Sequence, residues 1–295
     1  FKSKRSKKFK SEFELGIQEA KSVNFANSVL KNTVASNESF TKVGSEVATT
    51  NEGLIKSSDD MGVSYYFRGS VDNNYVSFAG MMWRVVRVNG DGTVRIVLDE
   101  ETDSVSSFYE SNTTDYSYDA SVVKKYLNDW YDLKLNDYKK YIAIGRFCND
   151  IEYDQDNIMN SYSRIIVNKI PTLNCLGSYF VSNIGLLSID EVVMAGAAPS
   201  ASNNKFYLYN SEIETSWYTL SGVKKTNDKI NLFLIDKNGG LNATTSSDLN
   251  RGIRPVINID KNVYMYGNGT KDNPYRIKWC KQCVIMCKSV YLILN

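Results

Sequence analysis

The chain has 295 residues, 42% of them hydrophobic, and its 35 basic and 33 acidic side chains leave a net charge of +2. That length fills one large globular unit or two small ones, and the balanced charge sets up no global field to draw in nucleic acid or an anionic membrane. The sequence contains no histidine, which excludes histidine-activated serine or cysteine nucleophiles, imidazole general bases and histidine-ligated zinc or iron.

Taken in chain order, the sequence opens on a basic run, FKSKRSKKFK (1–10). The plain reading is a solvated tail; the sharper one is the flank of a membrane anchor upstream of Phe1. From Ser11 to Asn32 the apolar residues Phe13, Ile17, Ala20, Val23, Ala26 and Leu30 recur at three- and four-residue spacing. This predicts an amphipathic helix able to pack on the domain or pair with a partner. Residues 33–60, rich in Ser, Thr, Asn, Glu and Asp with scattered apolar positions, read as a linker or an irregular first layer. The expected organisation is a basic segment, helix and linker over 1–60, a globular domain over 61–278, and a cysteine-containing tail over 279–295.

The strongest local signal lies in residues 65–98. Tyr75, Val76 and Phe78 predict one strand, and the β-branched runs WRVVRV (83–88) and TVRIVL (93–98) flank NGDG (89–92), whose residues tolerate positive φ. A β-hairpin follows, with Trp83 buried and the turn exposed. Arg84, Arg87 and Arg95 alternate with apolar neighbours and are expected on a solvated sheet face, with an anion-binding face as the alternative. Asp119 is placed as the cap of a helix with the apolar stripe Val122, Val123, Tyr126, Leu127, Trp130 and Tyr131. Ser188 and Glu191 have capping-box spacing for a second helix that ends near Gly196. Further strands are expected at 205–209, 230–236, 253–259 and 273–277. Helices between separated groups of strands indicate an α+β domain of mostly antiparallel strands with a few helices.

Three groups of residues carry chemical interest. Cys148 and Cys175 are read as a disulfide, which implies an oxidising, extracytoplasmic compartment. Two separate buried thiols are the alternative. Asp150, Glu152, Asp154 and Asp156 alternate as in calcium loops, with Asp150, Asp154 and Asp156 as the candidate ligands. The glycine and glutamate that would complete such a loop are replaced by Gln155 and Ser161, so a solvated acidic loop is the preferred reading. Cys280, Cys283 and Cys287 lack a fourth ligand for zinc and are read as part of a loosely ordered tail. No catalytic residue and no cofactor is expected.

The strings YYFRGSVDNNYVSFAGMMWRVVRVNGDGTVRIV, LLSIDEVVMAG, WYTLSG, RGIRPVINI and GNGTKDNPYRI occur in one order over residues 64–278. They resemble an uncharacterised family of surface and secreted domains of gut Firmicutes. That resemblance implies an extracellular or cell-surface location and transfers no catalytic residue. Gly252, Ile253 and Arg254 resemble the late core-strand motif of the C-type-lectin-like fold in the branch that includes formylglycine-generating enzymes, which implies a lectin-like domain. The segments FYLYNSE (206–212) and ETSWYTLSG (214–222) offer Tyr207, Tyr209, Trp217 and Tyr218 as an aromatic binding surface. For each ring taken singly, core packing is the plainer reading. The functional expectation is an exported binding or adhesion module for an unknown glycan or protein. The alternatives are an assembly component acting through the N-terminal helix, and an enzyme that uses carboxylates or a bound metal.

Overall fold

Runs of β-branched and aromatic residues broken by Gly, Asn and Asp dominate residues 62–98, and in the computed structural model they and the polar segment 51–59 form five strands. These are β1 (Asn51–Asp59), β2 (Gly62–Gly69), β3 (Tyr75–Phe78), β4 (Met81–Val88) and β5 (Val94–Leu98). The structure describes residues 24–33, 41–102, 105, 107–199, 201–227, 229–245 and 251–277. The basic run 1–10, the first part of the N-terminal helix and the tail cysteines Cys280, Cys283 and Cys287 lie outside the described residues.

The expected hairpin is present, with β4 and β5 antiparallel and Trp83 fully buried. Its turn is only partly exposed. Asn89 is buried because its amide donates to Thr93 Oγ1 at 2.8 Å and to Asn258 Oδ1 at 2.9 Å, while Asp91 faces solvent. The segment read as a linker contributes β1, which pairs with β2 from Asn51 to Asp59. Of the N-terminal helix, α1 (Phe25–Asn32) is described. Asn24 caps it by accepting from the Asn27 N–H, and Phe25 packs edge-on against Tyr275, so this helix shares the main core.

Helix α2 (Val122–Leu135) buries Val123, Leu127, Trp130, Tyr131 and Leu135, the helical stripe visible in the sequence. Its cap is Ser121, whose Oγ accepts from the Lys124 N–H at 3.0 Å. Asp119 lies in the preceding 3-10 turn and pairs with Lys124 at the surface. Strands β6 (Ile142–Ala143) and β7 (Gly145–Asn149) follow, then the short helix α3 (Asn160–Tyr162), which continues into a π-helical turn over Ser163–Asn168, and then β8 (Ser178–Ser182). Helix α4 (Ile189–Ala195) opens with the expected capping box of Ser188 and Glu191 and closes at Gly196, whose φ of 134° suits glycine.

Residues 205–209 form turns instead of a strand. Asn203 is responsible: its Oδ1 accepts from the Lys205 N–H, and its amide donates to the carbonyls of Ala48 and Gly196. This local bonding overrides the alternating pattern of the sequence. The remaining strands are β9 (Trp217–Thr226), β10 (Lys229–Ile235), β11 (Leu241–Thr245), β12 (Val256–Ile259), β13 (Met265–Tyr266) and β14 (Tyr275–Ile277).

The result is an α+β fold. Its largest sheet runs β13-β14-β3-β4-β5-β12-β6, with β2 joining β4 and carrying β1. Every pairing in it is antiparallel except β14 with β3. A three-stranded sheet of β9, β10 and β11 and a two-stranded ribbon of β7 and β8 complete the architecture.

Arg84, Arg87 and Arg95 are 4%, 5% and 2% exposed, so the face expected to be solvated is buried. Arg87 and Arg95 reach into a layer formed by β1, α4 and the Arg146 carbonyl, and Arg84 is held by Asn74 Oδ1 and the Val71 carbonyl. Both faces of β4 and β5 are therefore covered; Arg87 and Arg95 are satisfied by Glu191 and other distant parts of the chain, and Arg84 by Val71 and Asn74 just before it.

Candidate functional site

The aromatic residues proposed from the sequence do not form an open platform. Tyr207, Trp217 and Tyr218 are buried, at 3%, 3% and 0% exposure, and Tyr209 is half-buried. Tyr218 packs edge-on against Phe108, and Trp217 lies 5.0 Å beneath the Arg254 guanidinium. Arg254 is fully enclosed and donates to the carbonyls of Leu98, Leu208 and Asp99. Burial pushes its pKa down to about 10. The residues expected to resemble a lectin core strand thus anchor Arg254 as a strut between separate segments. Tyr209 and Trp217 do border one shallow depression, together with Asn210, Asp236 and Lys237.

The acidic loop is divided by its surroundings. Asp150 is fully buried and forms an ion pair with Arg164, which also makes two bonds to Asp190, at 2.8 and 2.7 Å. Burial works against the charge on Arg164, but Asp190 and Asp150 more than offset it and raise its pKa. Asp154 is exposed, and its Oδ1 accepts from the N–H groups of Asp156 and Ile158, which is turn chemistry. Asp156 is also exposed. Among the described residues no three His, Cys, Asp or Glu side chains gather closely enough to hold a metal ion, so Asp150, Asp154 and Asp156 do not converge.

Cys148 and Cys175 are joined, with Cα atoms 5.4 Å apart. Their bridge lines a narrow polar cleft that contains Arg87, Arg95, Arg164, Asp190 and Glu191. Arg87 donates to Asp59 at 2.6 Å and to Glu191 at 3.1 Å, and Arg95 donates to the same Glu191 oxygen at 2.7 Å. Burial alone would raise the Glu191 pKa, but Arg95, Arg87 and the Ser188 N–H hold it down at about 2. These charges face one another and leave room for only a couple of water molecules. The network is a cross-brace between β1, β4, β5 and α4, with Arg146 exposed at its mouth over the Tyr179 ring.

An open concavity lies where the ends of β4 and β5 meet α2, with about 1120 Å³ of space, part of it continuous with solvent. Leu98, Trp130, Tyr126 and Met81 form an apolar floor. Trp130 is positioned by its edge-on contact with Trp83, at 6.3 Å between ring centroids. Glu100, Glu101 and Asp129 line the same groove beside Lys134. Glu101 is fixed by the Thr215 hydroxyl, which donates at 2.7 Å, and by the Glu214 N–H at 3.3 Å. Leu133 projects here at 76% exposure. An apolar floor with carboxylates along it can take a ring-shaped or apolar group and accept hydrogen bonds from its donors. None of these groove residues was picked out as a site from the sequence. The available signal was Leu133, an apolar residue off the buried stripe of α2.

No curated protein and no solved structure matches the chain. A protein family described as a domain of unknown function, DUF6273, matches residues 91–261, which run from the β4–β5 turn through β12 and include α2 and the disulfide. With more than half of its length matched, the chain belongs to the DUF6273 family.

Proposed function

We propose that the chain is an exported binding module that takes a glycan in the groove between α2 and the ends of β4 and β5. The observation that carries this reading is the combination of an apolar, aromatic floor with Glu100, Glu101 and Asp129 on one concave surface. Sugar hydroxyls are hydrogen-bond donors that carboxylates accept, and the apolar faces of a sugar ring bury against Trp, Tyr and Leu side chains. A disulfide inside the family-matched region supports an oxidising compartment. The absence of histidine from the sequence supports binding over catalysis, and the balanced charge supports a ligand other than nucleic acid.

A glycan array probed with the folded protein, followed by calorimetry on the best ligand, tests the reading. Glu100 and Leu133 are exposed, so Glu100→Ala and Leu133→Ser should each weaken binding several-fold while leaving the melting temperature unchanged. A silent array, binding only to peptides, or glycan binding that both variants retain at full strength would refute it.

A further inference from the structure

Among the described residues the two-stranded ribbon has one sheet edge open. β8 pairs with β7 along one edge, and among the described residues no backbone bond covers the other. Its sequence, Ser178-Tyr179-Phe180-Val181-Ser182, has no charge and no proline, and its register with β7 is free of bulges. Those are the devices that normally keep an edge strand from pairing with another chain. Tyr179 and Val181 are 51% and 62% exposed. They share one face with Arg146 and Cys148, while Phe180 turns to the opposite face and stacks on Phe147 and Tyr118.

The segment is also complementary to itself. If two copies pair antiparallel about a two-fold axis at Phe180, Tyr179 of each stands opposite Val181 of the other, and Ser178 stands opposite Ser182. Aromatic and β-branched residues facing each other across strands form a favourable pair, and a two-fold axis supplies that pair twice. The nearest charge on this face, Arg146, lies on β7. In the paired arrangement the two Arg146 strands are separated by three strand spacings, about 14 Å, against a screening length of about 8 Å at physiological salt. Repulsion between them is therefore weak. A charged partner strand gains nothing from an edge that carries no charge.

We infer that the occupant of this edge is a second copy of the chain, with β8 pairing to β8 to give a four-stranded ribbon, β7-β8-β8-β7. A five-residue edge buries well under the roughly 800 Å² per partner of a standard stable complex. The dimer is therefore weak and reversible, with a Kd on the order of 0.1 mM.

Sedimentation velocity over a concentration series tests this on the full chain, beside Val181→Glu. That substitution places a negative charge on an exposed position directly opposite Arg146, where the folded monomer tolerates it. The wild-type sedimentation coefficient should rise with concentration, and the variant's Kd should be at least tenfold weaker at an unchanged melting temperature. In parallel, hydrogen exchange at residues 179–182 of the wild type should slow as concentration rises, a readout that does not depend on the variant. Monomeric behaviour up to about 1 mM, a variant that dimerises as well as wild type, or exchange in β8 that is indifferent to concentration would overturn the proposal.

Discussion

Replacing Glu191 by Gln tests whether the buried charge network holds the fold together. Glu191 is 4% exposed, and its two oxygens have separate duties. Oε1 accepts from Arg87 Nε at 3.1 Å and from Arg95 Nη1 at 2.7 Å, while Oε2 accepts from the Ser188 N–H at 3.0 Å. A glutamine keeps the shape but turns one acceptor into an NH2 donor. Whichever way the amide is oriented, that donor meets another donor, either the Ser188 N–H or the pair of guanidiniums. The substitution also leaves two buried arginines with one carboxylate fewer. Breaking a buried, hydrogen-bonded charge pair costs about 3–5 kcal/mol, which at about 2–4 °C per kcal/mol for a protein of this size lowers the melting temperature by roughly 6–20 °C. Urea unfolding followed by tryptophan fluorescence and by far-UV circular dichroism measures it. Asp60→Asn, at an exposed position beside the same cleft, is the control and should change stability by less than about 1 kcal/mol. A loss below about 1 kcal/mol for Glu191→Gln, equal to that control, would show that the network is not a cross-brace.

Stability should also fall in acid with a definite sign. The Glu191 pKa of about 2 lies below the ordinary 4.5, so its contribution, about 3 kcal/mol, is complete above pH 4.5 and is lost as pH falls through 2; a denaturation midpoint unchanged from pH 5 to pH 2 would contradict this. Reducing the Cys148–Cys175 bridge, or replacing both residues by serine, releases a loop with a sequence separation of 27 and should cost about 3.5 kcal/mol by chain entropy; equal stability of the oxidised and reduced protein would count against that estimate. Chelating calcium should leave the melting temperature unchanged, because Asp150 is committed to Arg164 while Asp154 is bonded within its own turn. A drop of several degrees on adding chelator would restore these residues as ligands.

Features with a local cause were legible in the sequence. The β4–β5 hairpin follows from two β-branched runs around NGDG, the face of α2 from a three- and four-residue spacing, and α4 from the capping pair Ser188 and Glu191. The Cys148–Cys175 pairing was reached because these were the only two cysteines inside the patterned region. What the sequence did not disclose is which surfaces the rest of the chain would cover. Strict alternation would set Arg84 and Arg87, three positions apart, on opposite faces of β4; a bulge between Val85 and Arg87 brings them onto one face with Arg95, and the sequence carries no record of a second layer over that face. That layer arrives from residues far along the chain: Glu191 of α4 lies 104 positions from Arg87 and 96 from Arg95. The candidate groove was hidden for the same reason, since Glu100 and Leu133 become neighbours only when α2 docks across the ends of β4 and β5. Periodicity, caps and turn residues act within a few positions of the chain, so the sequence by itself determined the β4–β5 hairpin, helices α2 and α4, the α+β class and the absence of histidine chemistry, but neither strand β1 in the segment read as a linker nor the turns at 205–209 read as a strand. Burial depends on what packs against each face, so only the tertiary structure decided that Tyr207, Trp217 and Tyr218 are core and that an open, acid-lined groove forms beside α2.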